Sequence, residues 1–359
     1  MIKIVLTGGG TAGHVMPNVA LLEYLGNFEV HYIGSMNGIE QKIMSSYENV
    51  TYHAIHTGKL RRYLSLENVK DFFRFQKGIS DARKLLKKIK PDIIFSKGGY
   101  VAVPVAIAAK KLKIPLITHE SDQTPGLANK LITNSAVKVL TTFPETAAMI
   151  KDGKGVFSGA PIRSVLFSGS REKGLSYLGF NGNKPVLLIM GGSKGARVIN
   201  EALYGSLDRI CEKFDVAHIC GDGNIVENGD FPGNYRQFAF IGKELPDVLA
   251  ATDFVITRGG SNSIHEFRAL KLPMLIIPLS KAASRGDQIL NANSFEQRGI
   301  ALQLEEEKLT PESLYEKLLE MVDKKDFLLK NLDSEEILNG IDKVYSEIAS
   351  VLKSRGIEV

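Results

Sequence analysis

The first eighteen residues, MIKIVLTGGGTAGHVMPN (1–18), read as an apolar strand, a glycine-rich loop and the start of a helix. The glycines of this loop fit the G-x-G-x-x-G spacing of dinucleotide-binding proteins. Such proteins also place an acid at the end of the second strand, where it binds ribose. Here the second predicted strand ends at Ile33 without an acid behind it, and Glu29 lies at its opposite end. The loop therefore predicts a phosphate or another oxygen-rich ligand rather than a nicotinamide or flavin cofactor.

The opening pattern returns in the second half of the chain, in KPVLLIMGGSKGARVIN (184–200). Short apolar strands alternate with helical patterns in both halves, which predicts parallel sheets covered by helices on both faces. The Gly-, Ser- and Asn-containing stretch 159–184 is predicted to be a linker. The predicted strands are Ile2–Leu6, Val30–Ile33, Asp92–Phe95, Pro115–Thr118, Val137–Thr141, Val186–Met190, Val216–Ile219, Phe238–Ile241, Phe254–Thr257 and Met274–Ile277.

Composition favours a cytosolic globular chain of two domains. The sequence has 359 residues, 44% hydrophobic, with two cysteines, no recognisable signal peptide and no apolar run long enough to span a bilayer. Its positive charge is concentrated in residues 59–90, which hold eleven Lys or Arg against three Asp or Glu. Phe72, Phe73 and Phe75 are interleaved with these cations. A solvated amphipathic helix with a buried aromatic face, a membrane-surface segment and a nucleic-acid contact all fit this pattern.

The second half carries a further anion-type loop, TRGGSNSIHEF (257–267). Ser261 and Ser263 follow its glycines, and Glu266 lies about one turn into the helix, where a carboxylate could accept two ribose hydroxyls. An acid there could equally complement the helix dipole. In the next loop, Gln288 could bond sugar hydroxyls.

Six motifs together resemble the MurG family, bacterial transferases that add N-acetylglucosamine to the lipid-linked muramyl-pentapeptide precursor of peptidoglycan. The resemblance covers essentially the whole chain. The motifs, in order, are GGGTAGH (8–14), SKGGY (96–100), HESDQTPGLANK (119–130), GGSKGARVIN (191–200), RGGSNSIHEF (258–267) and SRGDQILNAN (284–293).

The resemblance implies an α/β architecture of the GT-B type, two Rossmann-like domains facing a deep cleft. It implies an N-terminal acceptor domain, residues 1–162, joined by a last helix at about 335–359, and a C-terminal UDP-sugar domain, residues 163–334. The implied substrates are UDP-N-acetylglucosamine and a lipid-linked muramyl-peptide, converted from lipid I to lipid II with inversion. The implied location is peripheral, on the anionic cytoplasmic face of the cell membrane through about 59–90, without nucleic acid.

Carried over motif by motif, the resemblance also assigns site residues. From the residues themselves, His14 is the candidate base because it follows the first loop and titrates near neutrality. His119 and Glu120, which end another predicted strand at the same edge, are the runners-up for the catalytic role. The implied donor-binding residues are Thr11, Ala12, Gly13, Asp122, Arg163, Ser193, Ile241, Ser261, Ser263, Glu266 and Gln288. The implied acceptor-binding residues are Gly99, Tyr100 and His119.

Two positions depart from the family pattern. Asp122 stands where many members have an asparagine, and Ala12 stands where they have a glycine. The HESD and SRGDQ forms look like a Gram-positive coccal branch. No Asp-x-Asp motif of metal-dependent transferases occurs in a plausible loop, so neither a metal nor a cofactor is expected. His14 could instead bond only the donor sugar or a backbone carbonyl. Three other functions remain open: a UDP-N-acetylglucosamine 2-epimerase, a non-catalytic membrane scaffold, and a transferase that acts on another lipid such as diacylglycerol.

Overall fold

The structure, a computed structural model, describes residues 1–58, 66–192, 195–227, 229–335 and 340–359. The chain divides into two compact units. The first unit comprises residues 1–163 with 338–359, and the second comprises residues 164–337.

The first unit is built on a parallel sheet. Its strands are β1 (Ile2–Thr7), β2 (Phe28–Ser35), β3 (Val50–Ile55), β4 (Ile93–Ser96), β5 (Leu116–Glu120), β6 (Lys138–Thr141) and β7 (Gly155–Phe157). Among the described residues they lie in the order β3-β2-β1-β4-β5-β6-β7. The chain leaves β1 toward one edge and later returns to β4 on its other side. Ligands of open α/β sheets bind at this reversal, beyond the carboxyl ends of the strands.

Helices cover both faces of this sheet. They are α1 (Met16–Leu22), α2 (Ile39–Met44), α3 (Leu66–Ile89), α4 (Ala102–Leu112), α5 (Leu127–Thr133) and α6 (Pro144–Met149). On one face Leu21 and Leu25 pack with Ile4 and Leu6 of β1, and on the other Leu86 packs with strand and α4 side chains. Because β1 and β4 are buried on both faces, their sequences are continuous apolar runs rather than alternating ones.

The second unit repeats the design. Its elements are α7 (Arg171–Leu178), β8 (Val186–Met190), α8 (Arg197–Tyr204), α9 (Leu207–Lys213), β9 (Asp215–Ile219), β10 (Tyr235–Phe238), α10 (Leu245–Ala251), β11 (Phe254–Thr257), α11 (Ser261–Ala269), β12 (Met274–Ile276), α12 (Asp287–Gln297), β13 (Leu302–Gln303), α13 (Pro311–Asp323) and α14 (Lys325–Ser334). In the described part of this unit the strand order is β10-β9-β8-β11-β12-β13, all parallel. The reversal here lies between β8 and β11.

The last helix, α15 (Gly340–Lys353), packs on the first unit. Ile348 and Leu352 are fully buried in the core that contains β1. At the surface, the Tyr24 hydroxyl donates to Asp342 at 2.6 Å, and Lys138 pairs with Glu347. Within the described residues, we find no helix with the length and apolarity needed to cross a bilayer.

Three sequence predictions are corrected by the structure. The stretch predicted as a linker contains α7, which begins after the N-cap Ser170 and packs on α10, with Gly174 against the Asp247 backbone. The strand predicted over 238–241 is β10, which ends at Phe238, so Ile241 lies in the following loop. Strand β3 was not predicted, because its side chains alternate poorly between buried and exposed positions at the edge of the sheet.

Candidate active site

In the first unit, the loop after β1 meets the loop after β4. The Lys97 amide donates to the Thr7 carbonyl at 2.8 Å. Gly99, predicted to bind the acceptor, has a φ of +80°, and a Cβ there would lie 2.5 Å from the Gly9 carbonyl oxygen. A glycine is required here because two backbones touch in a left-handed conformation.

His14, the predicted base, ends a short 3₁₀ turn that begins at Ala12. The Thr11 hydroxyl lies 3.0 Å from His14 Nδ1 and fixes the ring. Thr11 is exposed, whereas Ala12, Gly13 and His14 are half-buried. The Thr11 contact therefore sets the orientation of the ring that is predicted to act as the base.

A carboxylate that sequence reasoning missed, Glu40, fills the base of this glycine loop. Glu40 is fully buried and accepts hydrogen bonds from the Gly10 amide at 3.2 Å and the Ser35 amide at 3.1 Å. A Cβ on Gly9 would lie 2.5 Å from the Glu40 carboxyl carbon. Glu40 therefore takes a backbone donor that a bound phosphate would need, which gives a physical reason why this loop is not a dinucleotide site.

Tyr100 closes the other side of the same loop. A Cβ on Gly10 would lie 2.6 Å from Tyr100 Cε1, so the ring rests directly on the glycine. Tyr100 is half-buried, and burial, together with the Glu40 carboxylate, raises the pKa of its hydroxyl. Tyr100 thus stays a neutral hydrogen-bonding group at the edge of the site.

The two residues at the end of β5 are buried and bonded within the protein. His119 lies 3.1 Å from the Gly159 carbonyl through Nε2 and 2.8 Å from Lys97 Nζ through Nδ1. The Glu120 carboxylate accepts from the Asp122 amide at 3.0 Å and the Asn129 amide group at 2.7 Å. Burial raises the pKa of Glu120, and Asp122 adds to the rise. These contacts order the turn that carries Asp122. The catalytic role predicted for Glu120 and the acceptor contact predicted for His119 stay predictions.

In the second unit, two glycine loops follow the neighbouring strands β8 and β11. No atom of the described residues lies within 4 Å of a Cβ placed on Gly192 or Gly260, so these glycines border open space. Gly195, by contrast, has a φ of +72°, and a Cβ there would lie 1.9 Å from the Cys220 carbonyl oxygen. Ser193, a predicted donor contact, lies outside the described residues.

The start of α11 and the start of α12 are packed together beside the second loop. A Cβ on Gly259 would lie 2.5 Å from the Gln288 carbonyl oxygen, and Asn291 donates to the Gly259 carbonyl at 3.1 Å. The Gln288 side-chain oxygen accepts from the Leu279 amide at 3.0 Å. Its NH₂ group is thereby turned away from that amide.

The predicted donor residues of α11 lie in its first two turns. Ser261 is buried as the first residue after the N-cap Gly260. Ser263 and Glu266 are half-buried. Arg258, which precedes this helix and was not predicted to act, is buried and pairs with Glu306. That ion pair fixes the loop from below.

The remaining predicted donor residues lie in loops. Ile241 follows β10 and is 2% exposed, so only its backbone is suited to contact a ligand. Arg163 is half-buried at the point where the first unit ends along the chain.

A buried polar chain supports the Gly191–Gly195 loop, and sequence reasoning missed it. Tyr235 OH lies 2.8 Å from His218 Nδ1, His218 Nε2 lies 3.0 Å from the Asn200 carbonyl oxygen, and Asn200 donates to the Cys220 carbonyl at 3.1 Å. Burial lowers the pKa of His218 to about 4, so the ring is neutral. Because the Asn200 oxygen can only accept, His218 carries its proton on Nε2, which donates to the Asn200 side-chain oxygen, and Nδ1 accepts from the Tyr235 hydroxyl.

Two parallel α/β units, each with a glycine loop where its strand order reverses, have the GT-B architecture, and the family matches identify the chain as a glycosyltransferase of this class. Residues 4–141 match the glycosyltransferase family 28 N-terminal domain, and residues 186–347 match the glycosyltransferase family 28 C-terminal domain.

The chain belongs to the MurG family of these enzymes. It is 51% identical over 353 residues to the UDP-N-acetylglucosamine–N-acetylmuramyl-(pentapeptide) pyrophosphoryl-undecaprenol N-acetylglucosamine transferase of Clostridium botulinum, strain Alaska E43, covering 98% of each chain. The crystal structure of Acinetobacter baumannii MurG superposes with a TM-score of 0.74 at 24% identity, covering 97% of this chain and 99% of that one. The coccal branch stays a prediction, because the Clostridium botulinum relative belongs to another lineage.

The fold alone does not separate this family from other nucleotide-sugar enzymes. A putative UDP-N-acetylglucosamine 2-epimerase from Listeria monocytogenes superposes with a TM-score of 0.70 at 12% identity, covering 100% of this chain and 99% of that one. The sequence identity to the transferase therefore carries the assignment, and the superposition shows only the shared architecture.

Proposed function

We propose that this enzyme transfers N-acetylglucosamine from UDP-N-acetylglucosamine to the C4 hydroxyl of the muramyl group of undecaprenyl-diphospho-N-acetylmuramoyl-peptide, with inversion at the anomeric carbon. The observation that carries this proposal is the 51% identity to a transferase of that name over 98% of both chains. The glycine loops add physical support. Gly192 and Gly260 of the second unit border open space that a donor diphosphate could occupy, whereas the first loop is packed against Glu40 and carries His14.

The second unit is proposed to bind the donor. The N-termini of α8 and α11 direct backbone N–H groups beyond β8 and β11, where a diphosphate is stabilised by hydrogen bonds and by the helix dipoles. Glu266 is proposed to accept two ribose hydroxyls, and the Ile241 backbone to bind uracil. The Gln288 NH₂ group is proposed to bond the sugar.

The first unit is proposed to activate the acceptor. The acceptor C4 oxygen attacks the anomeric carbon and forms the new glycosidic bond, while the bond from that carbon to the β-phosphate oxygen breaks. UDP leaves with the bonding electron pair, and the hydroxyl proton passes to the His14 imidazole. The Thr11 contact to Nδ1, at 3.0 Å, orients the imidazole for this transfer.

Departure of UDP is proposed to need no metal ion. Backbone N–H groups of the second unit, with Arg163 and Ser193, are proposed to stabilise the developing negative charge. We expect full activity after extensive dialysis against a chelator. A strict requirement for Mg²⁺ would contradict this part of the mechanism.

The enzyme is proposed to sit peripherally on the cytoplasmic face of the membrane, through α3 and neighbouring residues. Residues 59–65 of the basic stretch lie outside the described residues. On α3, Phe72 and Phe73 are 54% and 67% exposed, which contradicts a buried aromatic face for these two residues, and Arg74 and Lys77 are exposed beside them. Exposed aromatic rings among cations favour an anionic interface.

Vesicle flotation tests the membrane surface. We expect Phe72→Ser with Phe73→Ser to reduce binding to vesicles that contain an anionic lipid. The matched control, Phe327→Ser, removes a ring that is 56% exposed on the second unit, and its binding should equal that of the wild type. Equal flotation of the wild type with neutral vesicles would contradict the electrostatic part.

One incubation tests the transfer reaction. Radiolabelled UDP-N-acetylglucosamine is mixed with the lipid-linked muramyl-peptide, and the labelled disaccharide lipid is the expected product. An arm without the lipid tests for the 2-epimer of the donor, the product expected of an epimerase. Donor binding by calorimetry without either product would instead favour the scaffold.

A further inference from the structure

Lys97 is a buried cation for which the reaction above has no use. It is the first residue after β4, at the strand-order reversal of the first unit, and its side chain is 1% exposed. A lysine is almost never fully buried unless other groups compensate its charge. An apolar side chain of the same length would fill this space at a lower desolvation cost.

The Lys97 side chain links the end of β5 with the first glycine loop. Nζ donates to His119 Nδ1 at 2.8 Å and to the Ser121 hydroxyl, both across the end of β5. The stem begins beside the first glycine loop, where a Cβ on Gly8 would lie 3.2 Å from Lys97 Cβ and 2.4 Å from the His14 carbonyl oxygen. Movement of Lys97 would therefore displace the loop that carries His14, the proposed base.

The bonding partners define the state of each group. His119 Nε2 faces a carbonyl oxygen, which only accepts, so that nitrogen carries the proton and Nδ1 accepts from the ammonium. The charged and titratable groups that the structure records around the Lys97 ammonium are the Glu120 and Asp122 carboxylates and His119. Burial lowers the pKa of Lys97, while Glu120 and Asp122 hold the charge in place.

We propose that Lys97 is a positioning residue for sugar transfer: its ammonium holds His119 and Ser121 in one arrangement, and its stem packs beside the glycine loop 8–14, which carries His14. This role rests on the proposed function. The same ammonium also places a positive charge near the Asp122 carboxylate. Lys97 contacts the reaction only through these neighbours.

Four variants test the proposal: Lys97→Met, Lys97→Arg, the double variant Lys97→Met with Asp122→Asn, and the control Lys110→Met. Lys110 is an exposed lysine on α4 that bonds the Asn134 carbonyl. We expect Lys97→Met to lower kcat by about tenfold or more, because it leaves buried acceptors and carboxylates without their cation. UDP binding should stay within about twofold, since the donor loops lie in the other unit.

The pH profile separates positioning from simple stability. Without the ammonium, the already raised pKa of Glu120 rises further, so the acidic limb of kcat/KM moves to higher pH in Lys97→Met. Lys97→Arg keeps the charge and should retain the wild-type limb. The double variant removes one uncompensated carboxylate and should recover part of kcat. Lys110→Met should match the wild type throughout.

One further measurement and one further variant test the proposal where Lys97→Met gives no activity or does not fold. Nitrogen-15 spectra of the His119 ring report the Nε2–H tautomer without any turnover, and the tautomer population should change in Lys97→Met. If Lys97→Met does not fold, Ser121→Ala removes one Nζ contact and should lower kcat in the same direction.

The outcomes separate a failure of the proposed transfer reaction from a failure of the role of Lys97. A wild-type chain without transfer activity overturns both the proposed function and this role. A wild-type chain that transfers, beside a folded Lys97→Met with unchanged kcat and pH profile, overturns only the role of Lys97.

Discussion

The glycine loop of the first unit and the two glycine loops of the second unit differ in what surrounds them. In the first loop, the Glu40 carboxylate bonds the Gly10 amide, and the Tyr100 ring lies on the same glycine. In the second unit, Gly192 and Gly260 face space in which no atom of the described residues lies within 4 Å of an added Cβ. A glycine loop can thus be a cradle for a phosphate or a packed support for a side chain. The difference depends on neighbours far away in sequence.

The largest effect is expected from His14→Ala, which tests whether the first loop acts through its side chain. Loss of a general base lowers kcat by about 10²- to 10⁴-fold. Calorimetry should show unchanged UDP binding, because the donor loops lie in the second unit. A variant with near wild-type turnover would leave His14 only the alternative role of a sugar ligand, or none.

Glu40→Ala is expected to have the next largest effect. It leaves the buried Ser35 amide and the more exposed Gly10 amide without their acceptor, which should cost about 2 kcal/mol in the free energy of unfolding. Transfer should fall with it, whereas Glu40→Gln keeps an acceptor oxygen and should restore most of both. Urea unfolding and UDP calorimetry measure the two properties. Weakened UDP binding in Glu40→Ala would break the comparison, since it would make the first loop a nucleotide site.

The neutral His218 gives the second loop a pH-dependent support. Its folded pKa of about 4 lies below the unfolded value of about 6.5, so the unfolded chain binds the proton first as the pH falls. The free energy of unfolding should fall by about 3 kcal/mol between pH 6.5 and pH 4 from this group. We expect the free energy of unfolding of His218→Gln, measured by urea unfolding, to change less with pH across that range than that of the wild type. Identical changes with pH would show that His218 is not held neutral.

The smallest effect on stability is expected at the open end of the second unit. Gly260→Ala places its Cβ in open space and should change the free energy of unfolding by less than about 1 kcal/mol. UDP binding should nevertheless weaken, because the Cβ enters the proposed diphosphate position. Its neighbour Gly259→Ala is the matched contrast: the Cβ meets the Gln288 backbone at 2.5 Å and should destabilise the fold by about 2 kcal/mol. Equal stability of the two variants would contradict the assigned packing.

The fold class could be predicted because its signal is local. Buried parallel strands are short apolar runs, and β1, β8 and β11 are recognisable in this way before a glycine loop. The prediction was wrong where burial is mixed or where a helix is polar. Strand β3 lies at a sheet edge and was not predicted. Helix α7 is capped by Ser170 but carries few apolar residues, so a linker was predicted in its place.

The site was predicted only in part, for a reason of distance along the chain. His14 and Glu266 follow glycine loops directly, so their positions at the strand ends could be inferred from the motifs. Glu40 reaches a glycine 30 residues earlier, and Lys97 reaches a histidine 22 residues later. No pattern in the sequence marks such pairs, because their spacing is set by the sheet and not by a helix or a turn.

The sequence by itself determined two parallel α/β units, the strand ends at which ligands bind, and the family to which the motifs point. Apolar runs and glycines act over a few residues, so they can be interpreted before the fold is known. The tertiary structure alone decided which loop glycines are packed against neighbours and which border open space. It put Glu40 under one loop, the His218 chain under the other, and Lys97 between β4 and β5. Burial and hydrogen-bond partners give these groups their protonation states, and both exist only when the chain is folded.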